Sequence, residues 1–551
     1  MASAARTKKK RREDAPTGDP PLIRGRGAEV GALLSGLAYW LAFAGFDIWP
    51  LAFVAFVPLW LSLHGQTTRR ATWLGWITGM GMNLGGFYWL LDMLKTFSGF
   101  PTAICLVFVV IVCAYQAGRL AMMGWLFARA AQRGYPLPLV FAGAFAASEV
   151  AFPLLFPWYY AATVHKVPVL MQTADLGGPI LVGLVLVAVN LAIAEPIRAR
   201  LLMLRAPKAD PRERTLSAFV DRRVVGVGVL SLLFALVYGA ARISSTDKTA
   251  SAAEAASVGV VQGNMGLMQK RENPAEGLRR HIRLTRELRD KGIDFVVWSE
   301  SSVTFSVNER MAMETPYFRD RFAGQLGVPA IFGGVLVRPD PDPQRVYRLF
   351  NTALSTNARG EITGRYDKTY LLMFGEYLPF GETFPILYSW SPNSGRFSPG
   401  DKVDPLVLEV KGKKHNVTAL VCYEDILPGF TNRAVAHGNP ELLVNITNDA
   451  WFGDTAEPWE HLALAKYRAI EHRRYLVRTT NSGVSAVVDP VGRTVFATKT
   501  FVADARSATI HWLSAHTVYE TLGDGPWYLT ALAMSGAAFL RRKKPEGAAA
   551  A

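Results

Sequence analysis

The sequence predicts an α-helical membrane bundle of about eight transmembrane helices joined to one α/β domain outside the bilayer. Three observations predict this. The chain of 551 residues is 50% apolar and 19% charged, with a mean hydropathy of +0.16, whereas soluble domains average about 25% charged residues. The apolar residues concentrate before residue 245 and in one block near residue 530. Between these lie short runs rich in β-branched residues, alternating with helical stretches. This pattern excludes a disordered chain and a collagen-like repeat. Three cysteines exclude a disulfide scaffold. A purely soluble enzyme does not fit either.

The apolar runs cover 29–45 and 48–63, split by a hinge at Asp47 and Pro50. They continue over 72–93, 102–128, 136–155, 178–195 and 224–242, and end with 525–540. Each is close to the ~20 residues of a spanning helix, the first two being short. Runs 48–63 and 136–155 also fit buried core helices. The expected divisions are a basic tail over 1–27, seven helices within 28–245, an external domain over 246–522, an eighth helix over 523–542 and a tail over 543–551.

The formal charge is +15, and its placement gives the orientation. Basic residues fill the first tail (Arg6, Lys8, Lys9, Lys10, Arg11, Arg12, Arg24, Arg26) and alternate loops. Those loops hold Arg69 and Arg70; Arg129 and Arg133; and Arg198, Arg200, Arg205, Lys208, Arg212, Arg214, Arg222 and Arg223. Arg541, Arg542, Lys543 and Lys544 close the set. The other short loops hold little more than Lys95 and Lys166. The positive-inside rule then places both termini in the cytoplasm and 245–522 outside. The basic excess is thus topogenic, and nucleic acid is not an expected partner. The first run lacks a small-x-small cleavage site and reads as an anchor. Arg119 and Glu149 fall in or near spans, where charge is costly unless paired or wet. Glu149 could lie near a bilayer surface. The run Phe156-Pro157-Trp158-Tyr159-Tyr160 fits an interfacial belt or one wall of a lipid-substrate site.

In the external domain, strands are expected at 257–262, 293–298, 329–337, 351–356, 417–422, 442–447, 475–480 and 484–488. Helices are expected at 275–291, 311–326 and 458–473. Continuous apolar strands indicate a sheet buried on both faces. Helix 458–473 aligns Trp459, Leu462, Lys466 and Ile470 on an expected core face.

Chemistry is suggested at the strand ends, where α/β folds place active sites. One strand runs into Trp298-Ser299-Glu300 and another into Val421-Cys422-Tyr423-Glu424. Between them come Tyr366-Asp367-Lys368 and Phe374-Gly375-Glu376. Cys422 is the domain's one cysteine, either inert and buried or a reactive thiol. A cysteine nucleophile needs a base and a positive group for the oxyanion; spacing alone does not bring Glu300, Lys368 and Cys422 together. Glu424 beside Asp425 also fits a solvated acidic pair. Cys105 and Cys113 sit in the fourth run as small apolar residues.

A glutamate at a strand end, a lysine in a later loop and a cysteine before Tyr-Glu resemble the nitrilase superfamily. With eight spans around that domain, the chain resembles the apolipoprotein N-acyltransferase family. Further matching stretches are Val261-Gln262-Gly263-Asn264, Thr447-Asn448-Asp449-Ala450-Trp451-Phe452-Gly453, Pro458-Trp459 with His461, Arg478-Thr479-Thr480-Asn481-Ser482-Gly483 and Phe156-Pro157-Trp158. The resemblance spans about residues 28–542. It implies an αββα sandwich domain in the periplasm of a bacterial inner-membrane protein. It also implies two-step transfer from a phospholipid acyl donor, through a thioester, to the α-amino group of a diacylglyceryl apolipoprotein. Glu300 would be the base, Lys368 the oxyanion partner and Cys422 the nucleophile. Glu376 would position Lys368, while Phe374, Tyr423, Glu424, Asn448, Trp451 and Trp158 would support the site or bind substrate. No cofactor and no metal are implied, and a monomer is expected. Two departures stand out. Met268-Gln269-Lys270-Arg271 lacks the tryptophan frequent there, and Met373 replaces the usual proline before Phe374.

Other readings remain open at this point. A membrane-anchored amidase or nitrile hydrolase would let water resolve the acyl-enzyme, but one anchor would suffice for it. A transporter or scaffold leaves the Glu–Lys–Cys set unexplained. Asp449, Asp454, His461 and His472 suggest a metal, yet the histidines are not at i, i+4. Trp451-Phe452-Gly453 fits either core packing or a lipid-facing loop.

Overall fold

The computed structural model describes residues 20–205, 215–266, 273–341, 346–391 and 394–540. The basic stretches Arg6 to Arg12 and Arg541 to Lys544, the loop residues Lys208, Arg212 and Arg214, and Met268 to Arg271 lie outside the described residues.

Each apolar run forms helix. Three helices, Thr102–Ala131, Ala174–Arg205 and Arg222–Ala252, are long and apolar enough to cross a membrane. The other runs form shorter helices: Arg26–Ala42, Val57–Leu63, Thr68–Gly86, Leu137–Ala151 and Gly525–Phe539. Helices Thr68–Gly86 and Gly118–Ala131 meet at small residues. A Cβ on Gly75 would collide with the Leu120 carbonyl, and one on Gly79 with Ala117. Such close backbone approach replaces the hydrophobic drive that lipid removes.

The two charges expected in or near spans are paired with each other. Arg119 bonds Glu149, with both side chains 1% exposed. Its other amino nitrogen donates to Tyr39 Oη at 3.2 Å. Glu149 is therefore paired and buried inside the bundle. Tyr39 in turn stacks on Trp158 with centroids 6.1 Å apart. Trp158 and Tyr160 are buried, so this part of the aromatic run is an interior wall and not a belt.

The α/β domain holds two sheets. Its strands are β1 (Ala255–Gln262), β2 (Phe295–Trp298), β3 (Ser306–Asn308), β4 (Ala330–Pro339), β5 (Tyr347–Thr356), β6 (Ile362–Asp367), β7 (Leu406–Val410), β8 (Lys413–Val421), β9 (Leu442–Thr447), β10 (Leu476–Thr480), β11 (Ala486–Val488), β12 (Thr494–Ala497) and β13 (Asp504–His511). One sheet has the order β13-β1-β2-β4-β5-β6, with β3 pairing β4; the other runs β12-β11-β10-β9-β8-β7. Their centres are parallel, β1-β2-β4 and β8-β9-β10.

The apolar runs alternate between two cores. Val258, Val260, Phe295 and Val297 meet Val417, Leu442, Val444 and Val477 between the sheets. Val261, Val296 and Trp298 face outward, under helix Pro274–Arg289. Leu443 and Leu476 face outward against Leu462 and Ala469 of helix Glu457–His472. Sheets buried on both faces need helices outside, giving α-β-β-α layers.

Two helical expectations change. Stretch 311–326 divides into Glu309–Glu314, Tyr317–Arg321 and a 3-10 turn at Ala323–Gln325. Pro316 pushes Thr315 into the extended region, at φ −125° and ψ 161°, and this ends the first helix. Helix Glu457–His472 has no separate core face. Every residue in it is buried except Trp459, because sheet lies on one side and the bundle on the other. Lys466 Nζ donates to the His165 carbonyl at 2.6 Å and Tyr467 Oη to the Ala161 carbonyl at 2.6 Å, seating the domain on the bundle.

Candidate active site

Three loops after strand ends bring the residues together. Glu300 follows β2, in a turn where Ser301 has φ +51°. A Cβ on Gly333 of β4 would fall 2.8 Å from Glu300 Cα, so this crossing requires glycine. Lys368 follows β6 directly. Cys422 follows β8 and has φ +55°, a left-handed conformation that is costly for a side-chain-bearing residue and holds only when neighbours enforce it. Asn445 supplies that support, donating from Nδ2 to the Leu420 and Cys422 carbonyls at 3.1 Å each.

Glu424 fixes the loops to each other. One carboxylate oxygen accepts from Val421 N at 2.8 Å. The other accepts from Tyr366 Oη at 2.8 Å and from Thr369 N and Tyr370 N at 2.9 Å each. Glu424 and Asp425 are fully buried, so neither is a solvated acid. Burial pushes the Glu424 carboxyl up to about 7, against the pull of Lys368 and the backbone donors.

Lys368 is 1% exposed, with Nζ 2.6 Å from Glu376 Oε2. Burial opposes its charge, but Glu376, Cys422, Glu300 and Glu424 together hold its pKa above that of an ordinary lysine. It therefore stays cationic. Burial pushes the Cys422 thiol up, Glu300 adds to this, and Lys368 works against it. The resting sulfur is a neutral thiol in the fields of a carboxylate and an ammonium. Attack then requires proton removal as it proceeds.

Asn351, on β5, was not singled out in the sequence. Its Nδ2 donates to Glu300 Oε1 at 2.5 Å and to Glu376 Oε1 at 2.8 Å. Its backbone carbonyl accepts from Lys368 N at 2.8 Å. One amide thus ties the base to the lysine's partner. An asparagine in a strand shows no signal in a single sequence.

The other expected residues separate. Trp158 and Tyr423 line the cavity at Cys422, and Tyr423 Oη donates to the Leu155 carbonyl at 2.6 Å. Phe374 is exposed on the arm that follows Lys368. Asn448 Oδ1 accepts from Asn481 Nδ2 at 3.0 Å and helps to pin a loop. Trp451 is half-buried against the core.

Two cavities meet here. A small one, of about 40 Å³, is walled by Cys422, by aromatic rings including Trp89, Trp158 and Phe452, and by Glu457, Glu460 and His461. A larger one, of about 400 Å³, lies between Leu90, Phe108 and Val112 of the bundle and Met373, Phe374 and Trp390 of the arm. Phe156, Leu372 and Tyr423 border both. The larger lining is apolar apart from a few polar groups, and its size suits a small-molecule or lipid chain.

Asp449, Glu457 and His461 bring ligand atoms within 4.8 Å of one another, but the donor set suits an ion-pair network better than a cation. Arg478 bonds Asp425 at 2.9 Å and Asp449 at 3.0 Å. Asp425 and Asp449 raise His461 to about 10, against burial and Arg478, so the imidazole is already a cation. Asp454 instead bonds Thr500, and His472 lies near Glu520.

Residues 35–192 match the family model described as apolipoprotein N-acyltransferase N-terminal domain, and residues 257–511 match carbon-nitrogen hydrolase. Curated relatives named apolipoprotein N-acyltransferase include one from Pseudomonas putida, 31% identical over 84% of this chain and 86% of its own. Another, from Azotobacter vinelandii, is 30% identical over 94% and 96%. A third, from Geobacter metallireducens, is 29% identical over 93% and 95%. Among solved structures, an amidase from Nesterenkonia sp. AN1 aligns with half of this chain and 98% of its own, at 18% identity and a TM-score of 0.35.

Proposed function

The chain belongs to the apolipoprotein N-acyltransferase family, and from that premise we propose that it N-acylates apolipoproteins through a thioester on Cys422. Glu300 takes the thiol proton as sulfur attacks the sn-1 ester carbonyl of a phospholipid. Lys368 faces the oxyanion of the tetrahedral intermediate, where a fixed charge in a dry site stabilises most. The proton then passes from Glu300 to the departing glycerol oxygen, leaving a lysophospholipid and the acyl-enzyme. In the second half, the α-amino group of a diacylglyceryl-cysteine attacks the thioester, and ping-pong kinetics follow. Glu376 holds Lys368 in place, and Glu424 holds the Cys422 turn against the Lys368 loop.

The observation that carries this reading is the apolar cavity of about 400 Å³ that reaches Tyr423, next to the nucleophile. A soluble amide needs no such chamber, whereas an acyl chain does. Further support comes from the arm over 374–390, which exposes Phe374, Phe380, Phe384, Ile386 and Trp390. Exposed apolar side chains clustered this way favour a lipid interface.

The wider organisation is part of the proposal. About eight helices span a bacterial inner membrane, seven within 28–245 and one over 523–542. Both termini are cytoplasmic, and 246–522 is periplasmic. The alternating basic loops favour this orientation. Val227, Leu230, Leu233, Phe234 and Val237 of Arg222–Ala252 are exposed, as lipid-facing residues would be. The protein acts as a monomer on lipid and lipoprotein partners.

Intact mass spectrometry after incubation with phospholipid, with Cys422→Ala as control, tests the reading. The expected result is a hydroxylamine-labile gain of one acyl chain on wild type alone, discharged by a diacylglyceryl-cysteine peptide as its N-acyl product. Discharge to free fatty acid would favour a hydrolase. Absence of any adduct on the folded protein would refute the mechanism.

A further inference from the structure

The small cavity at Cys422 contains two carboxyl groups that this mechanism does not use. Glu457 and Glu460 stand on the first turn of helix Glu457–His472, 7% and 3% exposed. Glu457 Oε2 and Glu460 Oε1 have no hydrogen-bond partner. Glu460 Oε2 accepts from Trp89 Nε1 at 3.1 Å, and Glu457 Oε1 lies 3.6 Å from His461 Nδ1. Around them stand Phe87, Trp89, Trp158 and Phe452. Buried acceptors left open are costly unless a ligand completes them. Carboxylates set among aromatic faces supply what an organic ammonium requires, opposite charge together with ring quadrupoles.

We propose that Glu457 and Glu460 receive the α-ammonium group of the acyl acceptor in the second half-reaction. The inference rests on the acyltransferase reading above. A phospholipid headgroup can also carry an ammonium, but glycerol and phosphate separate it from the ester. The cavity holds only about 40 Å³ and has Cys422 in its wall, which suits a nitrogen about to bond the thioester carbon. Glu460, as carboxylate, takes one ammonium proton. The freed lone pair forms the C–N bond, and the C–S bond breaks with its electrons going to Cys422 Sγ. A second nitrogen proton passes through Glu300 to that sulfur, the amide keeps the third, and Glu460 returns its proton to water. Burial raises the proton affinity of both carboxyls. Glu457 faces Asp449, His461, Arg478 and Asp425, and Glu460 faces Trp89 and Glu457. The arriving ammonium restores the ionised form by opposite charge, and the raised proton affinity then suits Glu460 to accept its proton.

The test charges full-length wild type, Glu457→Gln and Glu460→Gln with phospholipid and follows the acyl-thioester mass. Discharge is then started with diacylglyceryl-cysteine peptide or with hydroxylamine, which is uncharged at neutral pH. The expected result is a thioester that accumulates on both variants, with peptide discharge slowed at least about tenfold and hydroxylamine discharge as in wild type. The proposal is overturned if peptide discharge stays within about threefold of wild type, or if hydroxylamine discharge slows in step with it. It is also overturned if the variants lose charging from phosphatidylethanolamine and keep it from phosphatidylglycerol, which would assign the site to the donor. Wild type that forms no thioester would instead overturn the acyltransferase reading on which the proposal rests.

Discussion

Replacing Asn351 by leucine removes the one amide that connects the base to the lysine's partner. Its Nδ2 bonds Glu300 at 2.5 Å and Glu376 at 2.8 Å, and both bonds end on carboxylates. Hydrogen bonds to charged groups contribute roughly 1.5–3 kcal/mol each. At the lower figure the pair amounts to about 3 kcal/mol, on the order of a hundredfold in rate if both hold the transition-state geometry. Stability should change less. Asn351 Oδ1 is buried without a partner, so its removal offsets part of the loss, and the bond from Lys368 N to the residue 351 carbonyl survives. The assay is the rate of acyl-thioester formation on Cys422 by intact mass, with thermal unfolding in parallel. A rate about a hundredfold lower in a protein that melts close to wild type is expected. A change below about threefold would refute the reasoning, since Glu300 and Glu376 would then be held without the amide.

Arg119→Met leaves Glu149 buried and unpaired in the bundle, so unfolding in detergent should show a loss of about 3–5 kcal/mol; an unchanged melting temperature would remove the pair from the account of stability. His472, fully buried, is held neutral by burial at about 4, below its ordinary 6.5. The unfolded chain therefore binds more protons between those values, and stability falls as pH drops from about 6.5 to about 4, by up to about 3 kcal/mol. The melting temperature of wild type should fall more steeply than that of His472→Phe as pH drops across that window; parallel curves would contradict this. Tyr423→Phe breaks the 2.6 Å bond to the Leu155 carbonyl, worth about 1 kcal/mol, and should slow charging by up to about tenfold without affecting the fold. Val112→Trp, placed in the wall of the larger cavity, should shift the donor preference toward shorter acyl chains, read from the adduct masses; an unchanged chain-length profile would place the acyl chain elsewhere.

The eight strands expected from apolar runs all exist, because those runs are buried on both faces. The strands that escaped are β3, β6, β7, β12 and β13. β13 reads Asp-Ala-Arg-Ser-Ala-Thr-Ile-His with a single buried side chain, and β12 is likewise an edge strand, only four residues long. The apolar helices were legible for the same reason as the core strands, yet the Arg119–Glu149 pair was not. Its members are 30 residues apart, and nothing in either helix announces the other. Glu300, Lys368 and Cys422 could be named through their resemblance to a known pattern. Asn351, Glu457 and Glu460 could not, because their roles depend on which side chains stand opposite them.

The position of helix Glu457–His472 explains why site and bundle cannot be separated. A helix covering a sheet usually turns a polar face to water. This one buries nearly all its residues, and its polar groups reach into the bundle: Lys466 to His165, Tyr467 to Ala161 and Glu460 to Trp89. Its first turn also walls the Cys422 cavity. Any shift of the bundle against the domain therefore moves Trp89 and Glu460 relative to the nucleophile. A soluble relative could dispense with such coupling. The polar contacts of this helix hold the wall of the Cys422 cavity against the bundle, whose residues also line the larger apolar chamber beside it.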